Sequence, residues 1–203
     1  MSATTEVPQK INFRRYKDGD TKGVPLNEKI FDADHSHKCP TYIQSTPPCQ
    51  GSCPAGEDIR GYLAIVRGTE KPPMGEDGKP TMPWQEYAWR RLTEANPFPS
   101  VMGRVCPAPC ETGCNRNEVE DHVGINSVEH FLGEYAIANN LKYINTSKPT
   151  GKKVAILGGG PAGMSCAYQL TLKGHEVTIF DEHEYLGGMM RYGIPGYRTP
   201  RDM

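Results

Sequence analysis

Neither charge dominates this chain: 23 Lys and Arg stand against 24 Asp and Glu, a formal net charge of −1. A face-wide cationic surface able to neutralise phosphates is thereby excluded, so nucleic acid is not expected as the main partner. No uninterrupted apolar stretch reaches the length of a membrane span, and the start lacks the charged-then-apolar order of a secretory signal. The expected location is the cytoplasm. No segment repeats with a solenoid period. The paired C-x2-C knuckles preferred by structural zinc are also missing.

Proline and cysteine, by contrast, are plentiful. Most of the 18 prolines lie before residue 110, which makes the first half loop-rich. A reducing compartment also changes how the seven cysteines read. In a secreted chain Cys39, Cys49, Cys53, Cys106, Cys110 and Cys114 would pair as disulfides; in the cytoplasm, ligation to metal is the expected use. Cys166, among Ala and Leu, reads as a small buried hydrophobe.

The stretch Gly151 to Asp181, GKKVAILGGGPAGMSCAYQLTLKGHEVTIFD, has the order of a dinucleotide-binding half-domain. Lys153 to Leu157 is a short β-type run, Met164 to Lys173 can be helical, and Glu176 to Phe180 returns to strand composition. Between the first two, Gly158, Gly160 and Gly163 spell G-x-G-x-x-G, with Pro161 and Ala162 inside it. The first glycine permits the tight turn, the second lets backbone approach a pyrophosphate, and the third lets helix pack on strand. The free N–H groups of the helix start then face the anion. Asp181 ends the second strand, where a carboxylate accepts hydrogen bonds from an adenosine ribose.

Before this half-domain the organisation is less regular. Residues 1–38 are expected to form an extended arm, with Ile11, Phe13, Tyr16 and Phe31 as anchors. Residues 39–54 carry too much Pro and Gly to be helical and read as a ligand-bearing loop. Asp58 to Arg67 has helical spacing at Ile59, Tyr62, Leu63 and Val66. A Pro- and Gly-rich insertion over 68–83 turns the chain back. Trp84 to Asn96 is helical again, closed by Pro97 and Pro99, with Trp84, Tyr87 and Trp89 expected to serve plain helix packing. Cys106 to Cys114 is a second ligand loop. From Asn126 to Leu141, Val128, Phe131, Leu132, Tyr135 and Ile137 form an apolar stripe, and a polar linker at 145–151 leads into the half-domain.

The cysteine spacings are C-x9-C-x3-C and C-x3-C-x3-C. Iron-sulfur cubanes need ligands set around a larger object, and the steps Cys39-Pro40, Pro48-Cys49, Cys53-Pro54, Cys106-Pro107 and Pro109-Cys110 suit loops wrapped on one. Zinc and inert or redox thiols stay open as alternatives on spacing alone.

The runs Cys49 to Pro54, Asn96-Pro97-Phe98-Pro99, GRVCPAPCE at 103–111, TGKKVAILGGGPAG and GGMMRYGIP at Gly187 to Pro195 resemble the small subunit of glutamate synthase and the matching part of dihydropyrimidine dehydrogenase. Within that family, PPCQGSCPAGEDIRGYL and the insertion after Gly68 are most similar to DsrL-type NAD(P)H:acceptor oxidoreductases. The resemblance implies an α-helical iron-sulfur domain (39–147) followed by the first, truncated part of an α/β Rossmann-like FAD-binding domain (148–203). It implies two 4Fe-4S clusters and FAD, with NAD(P)H served by a part of the protein beyond Met203. The cluster nearer the flavin would use Cys53, Cys106, Cys110 and Glu129, and the distant one Cys39, Cys49 and Cys114. One ligand is then missing; His35, His37, Thr41, Tyr42 or an external group would complete the set. Gly187, Gly188 and Arg191 would lie beside the flavin, where Arg191 would contact the pyrophosphate or the ring. The implied acceptor is a sirohaem-containing dissimilatory sulfite reductase, with the large subunit of glutamate synthase as second choice and a non-catalytic docking module as the contrasting reading. A homodimer stays open. Taken by itself, Glu129 would read as a solvated helix glutamate.

Overall fold

The computed structural model describes residues 46–119 and 121–201, and those from Pro47 onward belong to one compact unit. The predicted arm and its anchors lie outside the described residues, as do Cys39, His35, His37, Thr41 and Tyr42. Among the described residues six α-helices precede the half-domain: α1 (Pro48–Ser52), α2 (Ile59–Arg67), α3 (Trp84–Thr93), α4 (Pro99–Val105), α5 (Pro109–Thr112) and α6 (Ile125–Ala138). Then follow β1 (Lys153–Leu157), α7 (Pro161–Leu172), β2 (Glu176–Phe180) and α8 (Met189–Tyr192). Among the described residues, no helix is long and apolar enough to cross a membrane.

Local chemistry explains most boundaries. Asp58 caps α2 by accepting the Gly61 N–H at 3.1 Å, and Gly68, at φ 82°, ends it in the left-handed conformation that glycine adopts freely. Two proline readings need correction. The first ligand loop is helical after all over α1, since Pro48 stands in the first turn, where a missing N–H costs nothing. For the same reason Pro99 opens α4 instead of closing the helix before it.

The core is a helical layer in which Ile59, Tyr62 and Ile65 of α2, Ala88, Trp89 and Leu92 of α3, and Ile125, Leu132 and Ala136 of α6 are buried. The stripe predicted on α6 is displaced: Phe131 and Ile137 are half-exposed, and the inward face runs Ile125, Glu129, Leu132, Gly133, Ala136. Phe131 instead stacks outside against Trp84, with ring centroids 6.2 Å apart. The insertion at 68–83 is pinned by Arg91, which reaches Glu70 at 2.8 Å and Asp58 at 3.1 Å.

α4 and α6 meet through two glycines. A Cβ on Gly133 would stand 2.2 Å from the Ser100 nitrogen, and one on Gly103 would stand 2.5 Å from the His130 Cα. Only glycine permits that approach. Glu134 then accepts from Ser100 and from Arg104 (2.6 Å) across the same crossing.

β1 and β2 pair in parallel from Lys153↔Glu176 to Leu157↔Phe180, joined through α7. α7 docks on the helical layer by an aromatic series: Trp89 stacks on Tyr143 at 5.1 Å, and Tyr143 meets Tyr168 edge-on at 5.0 Å. The Tyr168 hydroxyl donates to the Thr93 carbonyl at 2.7 Å, and that of Tyr143 to Pro97 at 2.6 Å. Trp89 therefore helps to join the two parts of the chain besides packing its own helix. Cys166 is exposed on α7 and not a buried hydrophobe, because the two-stranded sheet covers only part of that helix.

Gly133→Ala is expected to lower unfolding stability by about 1–3 kcal/mol, the usual cost of forcing atoms into a packed site. Urea denaturation against the parent chain measures it.

Candidate functional site

Four of the predicted ligands come together. Cys53 leaves the end of α1, Cys106 ends α4, Cys110 lies in α5, and Glu129 sits on the inward face of α6. All four line one cavity of about 390 Å³. The turn between Cys106 and Cys110 depends on Ala108, which takes φ 52°. A residue before proline is kept from the right-handed helical region, and here Ala108 precedes Pro109 and adopts the left-handed one. Its N–H donates to the Cys106 sulfur at 3.4 Å.

Burial governs the electrostatics of this cavity. Burial is the main force pushing the Cys110 thiol up, to about 11, and it raises Cys106 as well; the charges of neighbouring donors add to both. Glu129 is pushed up to about 8, first by burial and then by the Glu57 charge, although Asn96 donates to its Oε1 at 2.5 Å. Asn96 is itself fixed, since its Oδ1 accepts the Phe98 N–H at 2.9 Å. Thiolates and a carboxylate held in so dry a place need positive charge beside them. The donor set, three thiols and a carboxyl lining one cavity, is of a kind that iron-sulfur clusters take.

Cys49 and Cys114 form a second group. Both are half-buried, and burial chiefly raises the Cys49 thiol, with the Cys114 charge contributing. The third predicted member, Cys39, lies outside the described residues.

The nucleotide residues also gather. Gly158 takes φ 102°, and a Cβ on Gly163 would lie 1.9 Å from the Gly158 oxygen, so the turn and the start of α7 need glycine at both places. Gly160 caps α7, followed by Pro161 and Ala162 in its first turn. The Gly187 N–H donates to the Gly159 carbonyl at 2.8 Å, and Gly188 packs on Gly160. Asp181 reaches back to this turn: it accepts from the Gly159 N–H at 2.5 Å and the His183 N–H at 2.8 Å, and these bonds hold its carboxyl below the usual range. Arg191 turns sideways, over the Tyr185 ring at 4.4 Å, and donates to the Arg201 carbonyl at 3.0 Å. With Gly187, Met164 and Met190 it lines a second cavity of about 520 Å³, whose other wall holds Trp89, Phe98 and Tyr143.

Pro161, Ala162 and Ser165 of α7 are also part of the wall of the cysteine cavity. The glycine turn and the donor set thus share a partition one helix start thick. Sequence reasoning passed over two residues here, Glu57 and Asn96, both buried and both lining the cavity. The signal for Glu129 was available in its phase, four residues after Ile125 and three before Leu132.

Comparison with known proteins agrees with this division. Residues 21–141 match the family model described as dihydropyrimidine dehydrogenase domain II, 4Fe-4S cluster, and residues 156–199 match an NAD(P)-binding Rossmann-like domain. The NADPH-Fe(3+) oxidoreductase subunit beta of Geobacter sulfurreducens is 38% identical over 165 residues, 78% of this chain and 22% of that protein. The NADP(+)-dependent formate dehydrogenase subunit beta of Moorella thermoacetica is 33% identical over 180 residues, 78% of this chain and 24% of its own. The glutamate synthase (NADPH) small chain of Bacillus subtilis is 38% identical over 157 residues, 77% of this chain and 31% of its own. The chain therefore spans less than a third of the length of these relatives.

Asp181→Ala is expected to speed amide hydrogen exchange at Gly159 and His183 several-fold, roughly the effect of losing one exposed hydrogen bond each. A depressed carboxyl contributes stability above its unfolded pKa and loses it as pH falls through the lower folded value. Acidifying the parent chain below the ordinary aspartate range should therefore loosen the same two amides, and exchange measured by NMR across that range checks both.

Proposed function

The chain belongs to the family of dihydropyrimidine dehydrogenase domain II, 4Fe-4S cluster, in its glutamate synthase small subunit-like form, and from that premise we propose that it relays electrons between flavin and a protein acceptor through two 4Fe-4S clusters. The observation that carries this reading is the shared wall: the N-terminal turn of α7 lines the cavity that Cys53, Cys106, Cys110 and Glu129 surround.

A bound flavin takes up both electrons of a hydride and releases them singly, as a one-electron cluster requires. The chain's residues supply binding, orientation and dryness. Gly158, Gly160 and Gly163 leave room for a pyrophosphate against the N–H groups of α7, and Asp181 holds the turn from behind. Cys53, Cys106, Cys110 and Glu129 would hold the nearer cluster, and Cys39, Cys49 and Cys114 the distant one. Asn96 orients the Glu129 carboxylate, leaving its second oxygen for iron. The helical layer of α2, α3 and α6 excludes water from the donors.

For the acceptor we assign a sirohaem-containing dissimilatory sulfite reductase, on the PPCQGSCPAGEDIRGYL stretch and the insertion over 68–83. The second reading, transfer to a glutamate-forming large subunit, is supported by the likeness to the Bacillus subtilis small chain. Copurification separates them: a sirohaem spectrum favours the first, and a glutaminase-bearing chain the second.

Iron and acid-labile sulfide after anaerobic purification are expected at about eight of each per chain, as for two cubanes. About four of each would remove the distant cluster from the scheme.

A further inference from the structure

The donor cavity holds more than four donors. Glu57 is 5% exposed and lines the same cavity as Cys53, Cys106, Cys110 and Glu129. It enters from the turn that precedes α2, on the side opposite α6, where its own carbonyl accepts the Ile59 N–H at 2.9 Å. Its carboxyl and that of Glu129 lie close enough to act on each other's charge, and the Asn96 amide serves both.

An apolar residue at position 57 would satisfy the packing of this layer. A buried carboxyl without a cationic partner is costly, and two sharing one cavity more so. The fully buried Tyr62 hydroxyl stands beside Glu57, so that this carboxyl sits in the apolar layer with only neutral polar neighbours.

We propose that Glu57 is a second carboxylate donor for the nearer cluster, able to hold the iron that Glu129 holds. The three thiolates keep their irons in either arrangement. In the exchange one iron–oxygen bond to Glu129 breaks and one to Glu57 forms. The proton on the unbound carboxyl passes to the one released, and no electron changes hands. Asn96 stands within reach of both and donates to whichever carboxylate holds the iron, with the Tyr62 hydroxyl beside Glu57. The inference rests on the reading of Glu129 as an iron ligand.

The test uses the full chain, purified without oxygen, with Glu129→Leu, Glu57→Leu and both together. Leucine fills the volume and cannot ligate. Low-temperature EPR of the oxidised samples and iron per chain are the readouts; a cubane that loses its carboxylate-held iron becomes a three-iron cluster with its own paramagnetic signal. Each single variant is expected to keep the parent's iron, about eight per chain, and the double variant to lose about one and show the three-iron signal. If Glu129→Leu alone gives that signal in full yield, Glu57 is no donor and the proposal falls, while Glu129 stands as a ligand. If the double variant keeps every iron, neither carboxylate ligates and both readings fall. A three-iron signal from Glu129→Leu alone overturns the proposal even where the double variant does not fold, and the distant cluster's signal reports folding in the same sample.

Discussion

Burying a carboxylate costs several kcal/mol unless something compensates it, and Glu129 is buried at the middle of the inward face of α6. Much of the helical part is arranged around that constraint. Asn96, at the end of α3, presents its amide to Glu129 and takes the Phe98 N–H on its other side, which fixes the chain where it bends from α3 into α4. Cys106 at the end of α4 and Cys110 in α5 complete the ring of donors, and the left-handed Ala108 between two prolines turns the backbone so that both reach one cavity. Apolar packing above these donors, chiefly Tyr62, Leu92 and Leu132, raises the proton affinity of Cys106, Cys110 and Glu129.

Close approach is the second theme. Gly103 and Gly133 let α4 and α6 cross at backbone distance, and that crossing brings Cys106 and Glu129 into the same space. Gly158, Gly163 and Gly188 do the same for the nucleotide turn. The aromatic series Trp89, Tyr143 and Tyr168 then sets α7 against the helical layer, so that the helix start facing a pyrophosphate also closes the donor cavity. Three rings and a pair of tyrosine hydroxyl bonds hold the two parts together.

Local patterns were the most legible part of the chain. The β1–α7–β2 unit and the three glycines follow from residue types at short spacing, where backbone geometry leaves few options, and the grouping of Cys53, Cys106 and Cys110 followed from the family resemblance. Proline misled twice, at Pro48 and Pro99, because the same residue that ends a helix also begins one. The apolar stripe on α6 misled because hydrophobicity does not say which neighbour a helix will find: Phe131 meets Trp84 outside the core, and the inward phase passes through Glu129 and Gly133.

By itself, then, the sequence determined the kind of chemistry: soft sulfur donors in proline-bracketed turns, and a glycine turn shaped for an anion. Those properties reside in single residues and their near neighbours. Tertiary structure alone decided that Glu57 and Asn96 join the donor cavity, that Asp181 serves the glycine turn from behind, and that Arg191 lies across Tyr185. Each depends on contacts between segments far apart in the chain, such as Asn96 with Glu129, and the energy of such a contact exists only once packing has removed the water between them.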